Sequence, residues 1–191
     1  MKNLLSKDGE VMIIPNFYTE EESNFVMERL INEIPWQQDQ IKMYGKEINL
    51  PRLTSWFGEG APYFYSGIKM DAHRWTPLLS LLKHKVEEDG AKVNFNSVLL
   101  NYYRDGKDSV SWHQDNETEL GHQPTIASLT FGATRTFKFR HLNDKEVVKL
   151  ELTNGSLVIM KGDTQNKWEH CIPKTSKIIG PRINLTFRII S

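Results

Sequence analysis

Cysteine is nearly missing from the 191-residue chain, where Cys171 stands alone. That excludes an internal disulfide, a Cys-x-x-Cys redox pair and a thiolate zinc cluster, and a reducing compartment is the expectation. No apolar run approaches the roughly 18 residues of a membrane span. Asp8 and Glu10 interrupt the start, MKNLLSKDGEV, before a signal-type apolar stretch can form. The sequence therefore reads as lacking a signal peptide and a transmembrane segment, with bacterial cytoplasm or a eukaryotic nucleus as its setting. Net charge is missing as well, because 24 Lys and Arg balance 24 Asp and Glu. The balance is uneven along the chain: residues 1–60 hold 6 basic against 10 acidic side chains, and residues 61–191 hold 18 against 14. A polyanion partner does not follow from the total, although basic patches in the second part could meet phosphates locally. Repeats, low-complexity tracts and Gly/Ser linkers are absent too, which leaves residues 1–191 as one expected domain and a monomer as the expected state.

What the chain does have is apolar and aromatic side chains: 39% hydrophobic residues, with five Trp, six Tyr and nine Phe. That is too much for a disordered polymer, and at this length a domain can bury roughly 70% of its unfolded surface. Val11–Ile14 before Pro15 reads as a short strand. Thr19-Glu20-Glu21-Glu22 has the capping-box pattern, and Phe25, Val26, Leu30 and Ile34 follow at helical spacing as the expected buried stripe. A second helix is expected from Thr76-Pro77, with Leu78, Leu79, Leu81, Leu82 and Val86 as its buried side and Gly90 as its end. Between the helices, Trp36–Ile41 and Ile48–Trp56 suggest a hairpin with its turn at residues 43–46, followed by an aromatic loop at residues 62–65.

From Asn96 onward the pattern changes to short β-type runs: Val98–Tyr103, Val110–His113, Ile126–Phe131, Thr136–His141, Val147–Leu152, Leu157–Met160, Trp168–Ile172 and Ile183–Ile190. The expected fold class is therefore α+β, with helices buttressing a double-stranded β-helix, or jelly roll. Residues 1–95 supply the helices and hairpin, and residues 96–191 the β core.

The last run alternates strictly, so Ile183, Leu185, Phe187 and Ile189 share one face and Arg182, Asn184, Thr186 and Arg188 the other. The polar face fits an edge strand turned to water. It also fits an inward clamp, because planar guanidiniums grip carboxylates bidentately where lysine would be a hydrated point charge. His113-Gln114-Asp115 projects an imidazole and a carboxylate the same way from an extended segment, although a surface turn would use the same residues. His170, between Trp168 and Ile172, could be a core histidine or a third ligand. Taken together, His-x-Asp, a histidine 55 residues on and Arg-x-Asn-x-Thr-x-Arg beginning 12 residues later supply two imidazoles, a carboxylate and a cationic clamp. Such a triad occupies one side of an octahedral Fe(II) and leaves three positions open. A tetrahedral zinc site would not need two inward arginines, so iron is preferred.

On these residues the sequence resembles the AlkB family of Fe(II)- and 2-oxoglutarate-dependent dioxygenases over roughly residues 35–190. The segments that carry the likeness are Leu100–Gly106, His113–Glu117, Ile126–Gly132 and Pro181–Arg188. Within the family the chain is most similar to the duplex-DNA repair subfamily. The resemblance implies that His113, Asp115 and His170 bind iron and act in catalysis. It implies that Asn101, Tyr103, Arg182, Asn184 and Arg188 hold 2-oxoglutarate, with Arg188 facing its distal carboxylate. The implied reaction is oxidative demethylation of bases such as 1-methyladenine and 3-methylcytosine in DNA, possible on RNA as well, giving succinate, carbon dioxide and formaldehyde.

By the same likeness Tyr63 and Tyr65 match a substrate lid, Glu117 an acid beside the iron pair, and Tyr44, placed by the Pro51-Arg52 anchor, an intercalating hairpin tip. Arg52 joins this set of expected substrate contacts. Read from the residues alone, the tyrosines also suit ordinary packing, Tyr44 a plain surface turn and Glu117 a solvated loop. Two other functions fit the sequence: an RNA or single-strand demethylase, and a non-enzymatic jelly-roll module that binds a small acid or a protein.

Overall fold

The structure is a computed structural model. It describes residues 2–43, 46–59, 63–65, 68–70 and 72–191, with the backbone alone at 42, 43, 46, 63–65 and 68–70. In chain order the elements are β1 (Glu10–Ile14), α1 (Glu20–Glu33), β2 (Gln40–Met43), β3 (Lys46–Asn49), β4 (Leu53–Gly58), β5 (Tyr63–Tyr65), β6 (Ile68–Met70) and α2 (Pro77–Lys85). A π-helical turn at Val86–Ala91 extends α2. Then come β7 (Ser97–Tyr103), β8 (Val110–His113), β9 (Ile126–Gly132), β10 (Arg135–His141), β11 (Val147–Leu152), β12 (Leu157–Lys161), α3 (Thr164–Lys167), β13 (Trp168–Ile172) and β14 (Arg182–Arg188). Among the described residues no helix is long and apolar enough to cross a membrane.

Two antiparallel sheets form the jelly roll. The larger runs β1-β12-β9-β14-β7-β4 and the smaller β11-β10-β13-β8, while β2–β3 and β5–β6 are separate hairpins. Strand β14 lies between β9 and β7, so it is a central strand and the solvent-facing reading of its polar side fails. All seven of its residues are buried. Ile183, Leu185 and Phe187 join Leu30, Leu79, Leu82 and Val86 in a core between the larger sheet and the helices. A second core, with Phe137, Phe139, Leu152, Met160 and Trp168, fills the space between the sheets. Strict alternation therefore reports a strand sandwiched between two layers, its apolar side toward the helices and its polar side toward a lined interior. Ile189 lies past the end of the strand and is largely exposed.

The helices begin as their sequences dictate. Glu22 N–H donates to Thr19 Oγ1 at 3.2 Å, and Thr19 N–H donates to Glu22 Oε2 at 2.8 Å, completing the capping box. The buried side of α1 is Ser23, Val26 and Leu30. Phe25, expected in that stripe, is 59% exposed and lies beside the Arg29 guanidinium. In α2 the Thr76 cap and Pro77 stand where expected, but Leu81 is 67% exposed because Leu78, Leu79 and Leu82 already fill the contact with the sheet. Its helical path runs on through Gly90 and stops at Lys92, which takes the left-handed conformation. A Cβ at Gly90 would stand 2.5 Å from Leu157 Cδ2, so close packing is the requirement for glycine there.

The hairpin forms between the expected arms, with an interruption in the second: Gln40 pairs with Asn49, and beyond the break Gln37 and Thr54 exchange backbone hydrogen bonds at 3.0 and 2.9 Å. β2 pairs with β3 only through Asn49; the following Leu50-Pro51-Arg52 breaks the ladder, since proline has no N–H to donate. Leu53–Gly58 then joins the edge of the larger sheet against β7.

Candidate metal centre

His113 at the end of β8 and His170 in the middle of β13 are direct cross-strand partners, and their ring centroids are 4.3 Å apart. Asp115 follows two residues after His113, its Oδ1 3.7 Å from His113 Nε2. One ligand atom from each of the three side chains lies within 4.8 Å of the others. His113 Nδ1 is 2.8 Å from the Ser111 carbonyl. A carbonyl can only accept, so Nδ1 carries a proton and Nε2 is the ring nitrogen turned toward Asp115. Burial pushes His170 down to about 3, helped by His113 and opposed by Asp115, so its imidazole is neutral at pH 7. Burial alone would raise the Asp115 carboxyl. The Arg188 guanidinium, with Nη2 2.8 Å from Oδ2, together with His170 and His113 outweighs that and holds it well below the usual carboxylate range. Asp115 Oδ1 and His170 Nδ1 are buried without hydrogen-bond partners, a cost that a coordinated cation would remove. Two imidazoles and one ionised carboxylate on one side of a cavity are the donor set of a facial Fe(II) site.

The polar side of β14 faces the same cavity, which Asn101, Tyr103, Arg182, Asn184 and Arg188 all line. Register explains the grouping: Arg182 stands opposite Tyr103 and Asn184 opposite Asn101. Arg182 is 1% exposed, and burial draws it down to about 10. Its Nη2 donates to Thr130 Oγ1 at 2.9 Å and to Asn184 Oδ1 at 2.7 Å, and its guanidinium carbon lies 5.1 Å from the Tyr103 ring centroid. Its Nε and Nη1 are buried without an acceptor at hydrogen-bond geometry. Among the described residues no carboxylate pairs with it. A buried cation held only by neutral groups is a site for an anion, and a planar carboxylate matches its fork. Arg188, expected to face the distal carboxylate of 2-oxoglutarate, is paired instead with Asp115 at the metal end of the cavity, and Arg182 stands at the other end of β14.

The other expected residues are placed unevenly. Arg52 is 4% exposed, with Nε donating to Asn101 Oδ1 at 2.8 Å and Nη1 to the Ser109 carbonyl at 3.2 Å. It stands behind Asn101 as a support, away from the open surface that a substrate contact requires. Glu117 is half-buried, two residues beyond Asp115, before a 3₁₀ turn at Thr118–Leu120. Tyr63 and Tyr65 lie on β5, and Tyr44 falls outside the described residues. Sequence reasoning missed Ser128 and Thr130, whose hydroxyls donate to Asn184 Oδ1 at 3.0 and 3.1 Å. The signal was available, since Ile126-Ala127-Ser128-Leu129-Thr130-Phe131 alternates as β14 does. Arg135 was missed as well. It is buried, bonded to the carbonyls of Asp105, Asp108 and Pro173, and packed over the Tyr103 ring at 5.6 Å from its centroid.

Comparison with known proteins follows this geometry. Residues 10–188 match the model of the 2OG-Fe(II) oxygenase superfamily. The chain is 43% identical to the alpha-ketoglutarate-dependent dioxygenase alkB homolog 3 of Mus musculus over 95% of this chain and 66% of that protein, with the same figures for the Homo sapiens protein. It is 37% identical to the DNA oxidative demethylase ALKBH2 of Homo sapiens over 79% of this chain and 61% of that protein. The chain thus spans just under two thirds of the length of these relatives. Its fold is similar to the solved structure of OsALKBH1, at a TM-score of 0.66 and 16% identity, over 93% of this chain and 97% of that one.

Proposed function

The chain belongs to the 2OG-Fe(II) oxygenase superfamily, and on that footing we propose that it is a DNA oxidative demethylase that restores N-methylated bases such as 1-methyladenine and 3-methylcytosine. The observation that carries the reading is one cavity with half-buried His113 and buried Asp115 and His170 at one end and an anion-seeking Arg182 at the other. The names of the relatives, an alpha-ketoglutarate-dependent dioxygenase and a DNA oxidative demethylase, support it.

Fe(II) and 2-oxoglutarate, when bound, supply the oxidation by dioxygen that hydroxylates the N-methyl carbon, with succinate, carbon dioxide and formaldehyde as products. The protein does the rest. His113, neutral His170 and ionised Asp115 converge as three ligands, and Arg188 is the largest of the charges that keep Asp115 ionised against its burial. Arg182 takes the cosubstrate carboxylate remote from the metal, Tyr103 and Asn184 lie beside it, and Arg52 fixes the Asn101 amide. Residues of both sheets line the cavity, and a base bound at its mouth would complete the exclusion of water from the reacting atoms. A methylated base in a duplex must leave the stack to reach such a recessed site. We assign Tyr63 and Tyr65 of β5 to its flat contacts and Glu117 to its polar edge.

The test is incubation of methylated oligonucleotides with the protein, Fe(II), 2-oxoglutarate and ascorbate. Restored bases with one formaldehyde released per repair support the proposal, and no turnover on any nucleic acid refutes it. Parallel reactions on single-stranded DNA, duplex DNA and RNA separate the DNA reading from that of an RNA or single-strand enzyme. A non-enzymatic module would give no visible charge-transfer band when Fe(II) and 2-oxoglutarate are added without air.

A further inference from the structure

We infer that Gln165 is a positioning residue that sets the geometry of the metal ligands, an inference that rests on His113, Asp115 and His170 holding a metal. Strand β8 ends at His113, so the backbone of residues 114–117 has no ladder to join, and the Asp115 N–H is buried where water cannot reach it. Gln165 Oε1 accepts from that N–H at 3.0 Å. The Gln165 carbonyl accepts from Gln114 Nε2 at 2.7 Å. Only the amide oxygen can accept from an N–H, so the amide nitrogen must point the other way, where it donates to Met160 Sδ at 3.4 Å.

Gln165 is 1% exposed and sits in α3, the single turn that leads straight into β13 and His170. One side chain therefore ties the loop carrying Asp115 to the segment carrying His170, and the peptide on which Asp115 is mounted is fixed by it. The turn itself is anchored. Thr164 Oγ1 accepts from Glu10 N–H at 2.9 Å and donates to the Lys161 carbonyl at 2.6 Å. Gly9 packs so tightly on it that a Cβ would lie 2.7 Å from Thr164 Oγ1. Without the Gln165 oxygen the Asp115 N–H would be an orphan in the interior, and the loop would move to find an acceptor, taking the carboxylate out of register with the two imidazoles.

The test replaces Gln165 by Met, which has similar bulk and no amide oxygen, and titrates the full-length protein with Co(II). Partners of this kind typically hold metal affinity by 10–100-fold, so Gln165→Met is expected to weaken Co(II) binding by about that factor and to shift its visible ligand-field bands. The metal-free variant should keep the wild-type circular dichroism. Asn166→Ala, which alters the same turn without touching the loop, should bind Co(II) within about twofold of wild type with unchanged bands. Gln165→Met with wild-type affinity and bands overturns the inference. Should Gln165→Met fail to fold, Gln114→Ala removes the neighbouring bond from the loop side. A loss of about threefold or more with shifted bands then supports the inference, and unchanged binding overturns it. If the wild-type protein takes up no Co(II), the metal-site reading itself falls and the inference with it.

Discussion

Replacing Arg188 by Met should destabilise the metal-free protein far more than the loss of an ordinary surface charge, because the partner left behind cannot reach water. Arg188 and Asp115 are each 2% exposed and meet at 2.8 Å. At an effective dielectric of about 20, unit charges at that distance attract by roughly 6 kcal/mol. Their desolvation offsets much of this in the intact pair, yet deleting one partner of a buried pair leaves an uncompensated charge and typically costs about 3–5 kcal/mol. For a chain of this size each kcal/mol lowers the melting temperature by about 2–4 °C, which gives a drop of roughly 6–20 °C. The same structure says what should restore it. A divalent cation on Asp115 neutralises the orphaned carboxylate, so saturating Mn(II) should raise the melting temperature of Arg188→Met by more than it raises that of wild type. Asp115→Leu combined with Arg188→Met removes both charges and should recover much of the loss. Differential scanning calorimetry at pH 7, with and without Mn(II), decides the matter. A metal-free melting temperature within about 3 °C of wild type would refute the reasoning, as that corresponds to at most about 1.5 kcal/mol, half the smallest expected loss.

At the far end of the cavity, Arg182→Lys keeps the charge and loses the fork. 2-Oxoglutarate affinity of the Mn(II) protein should fall about 10–100-fold by isothermal calorimetry, the equivalent of one or two charge-assisted bonds. Arg52→Met should weaken 2-oxoglutarate binding by about the same order through Asn101, while Co(II) affinity in the absence of 2-oxoglutarate stays at the wild-type value. Gly132 has φ +89°, and a Cβ there would lie 2.4 Å from the Pro181 carbonyl. Gly132→Ala should therefore cost about 1–3 kcal/mol in urea unfolding, and an unchanged midpoint would contradict the packing. His170 stays neutral in the metal-free fold down to about 3, whereas in the unfolded chain it takes a proton near pH 6.5. The unfolded state thus binds more protons below that pH, and stability should decline as pH falls from about 6.5 toward 3, by about 2 kcal/mol at pH 5. Urea titrations at pH 7 and pH 5 should find this slope in wild type and a flatter one in His170→Asn.

The β core was legible because alternation is a local property that survives folding. Val110–His113, Val147–Leu152 and Trp168–Ile172 are strands over the expected residues, and the other five runs shift by at most two residues at either end. The polar side of β14 announced an interior for the same reason: four polar residues at period two with both guanidiniums on one face. Patterning reports which face a residue takes but not what meets it. Hence Phe25 and Leu81, apolar and adjacent to the true stripes, were counted into a contact already filled by Val26, Leu30, Leu79 and Leu82. The same limit hid the supporting residues. Nothing near Arg52 in sequence announces Asn101, 49 positions away, and nothing near Gln165 announces Asp115, 50 positions away. The place of Arg188 was missed because it depends on Asp115, which reaches Arg188 only through the pairing of β8 with β13 and the closure of one sheet on the other.

That closure also explains why the fold tolerates charges in its interior. Among the described residues lining the cavity, Asp115 is the only carboxylate, against the guanidiniums of Arg182 and Arg188, so the site carries a net charge of about +1 by itself. A divalent cation added alone would make it strongly positive in a medium of low dielectric, and a dicarboxylate added alone would make it negative; both changes are costly there. Added together they cancel and return the cavity to its starting charge. The arginines thus divide the work by position. Arg188 neutralises the ligand carboxylate until a metal shares it, and Arg182 stays unneutralised until an anion arrives. Reading β14 as one polar stripe conceals this division, and the buried partner of each guanidinium reveals it.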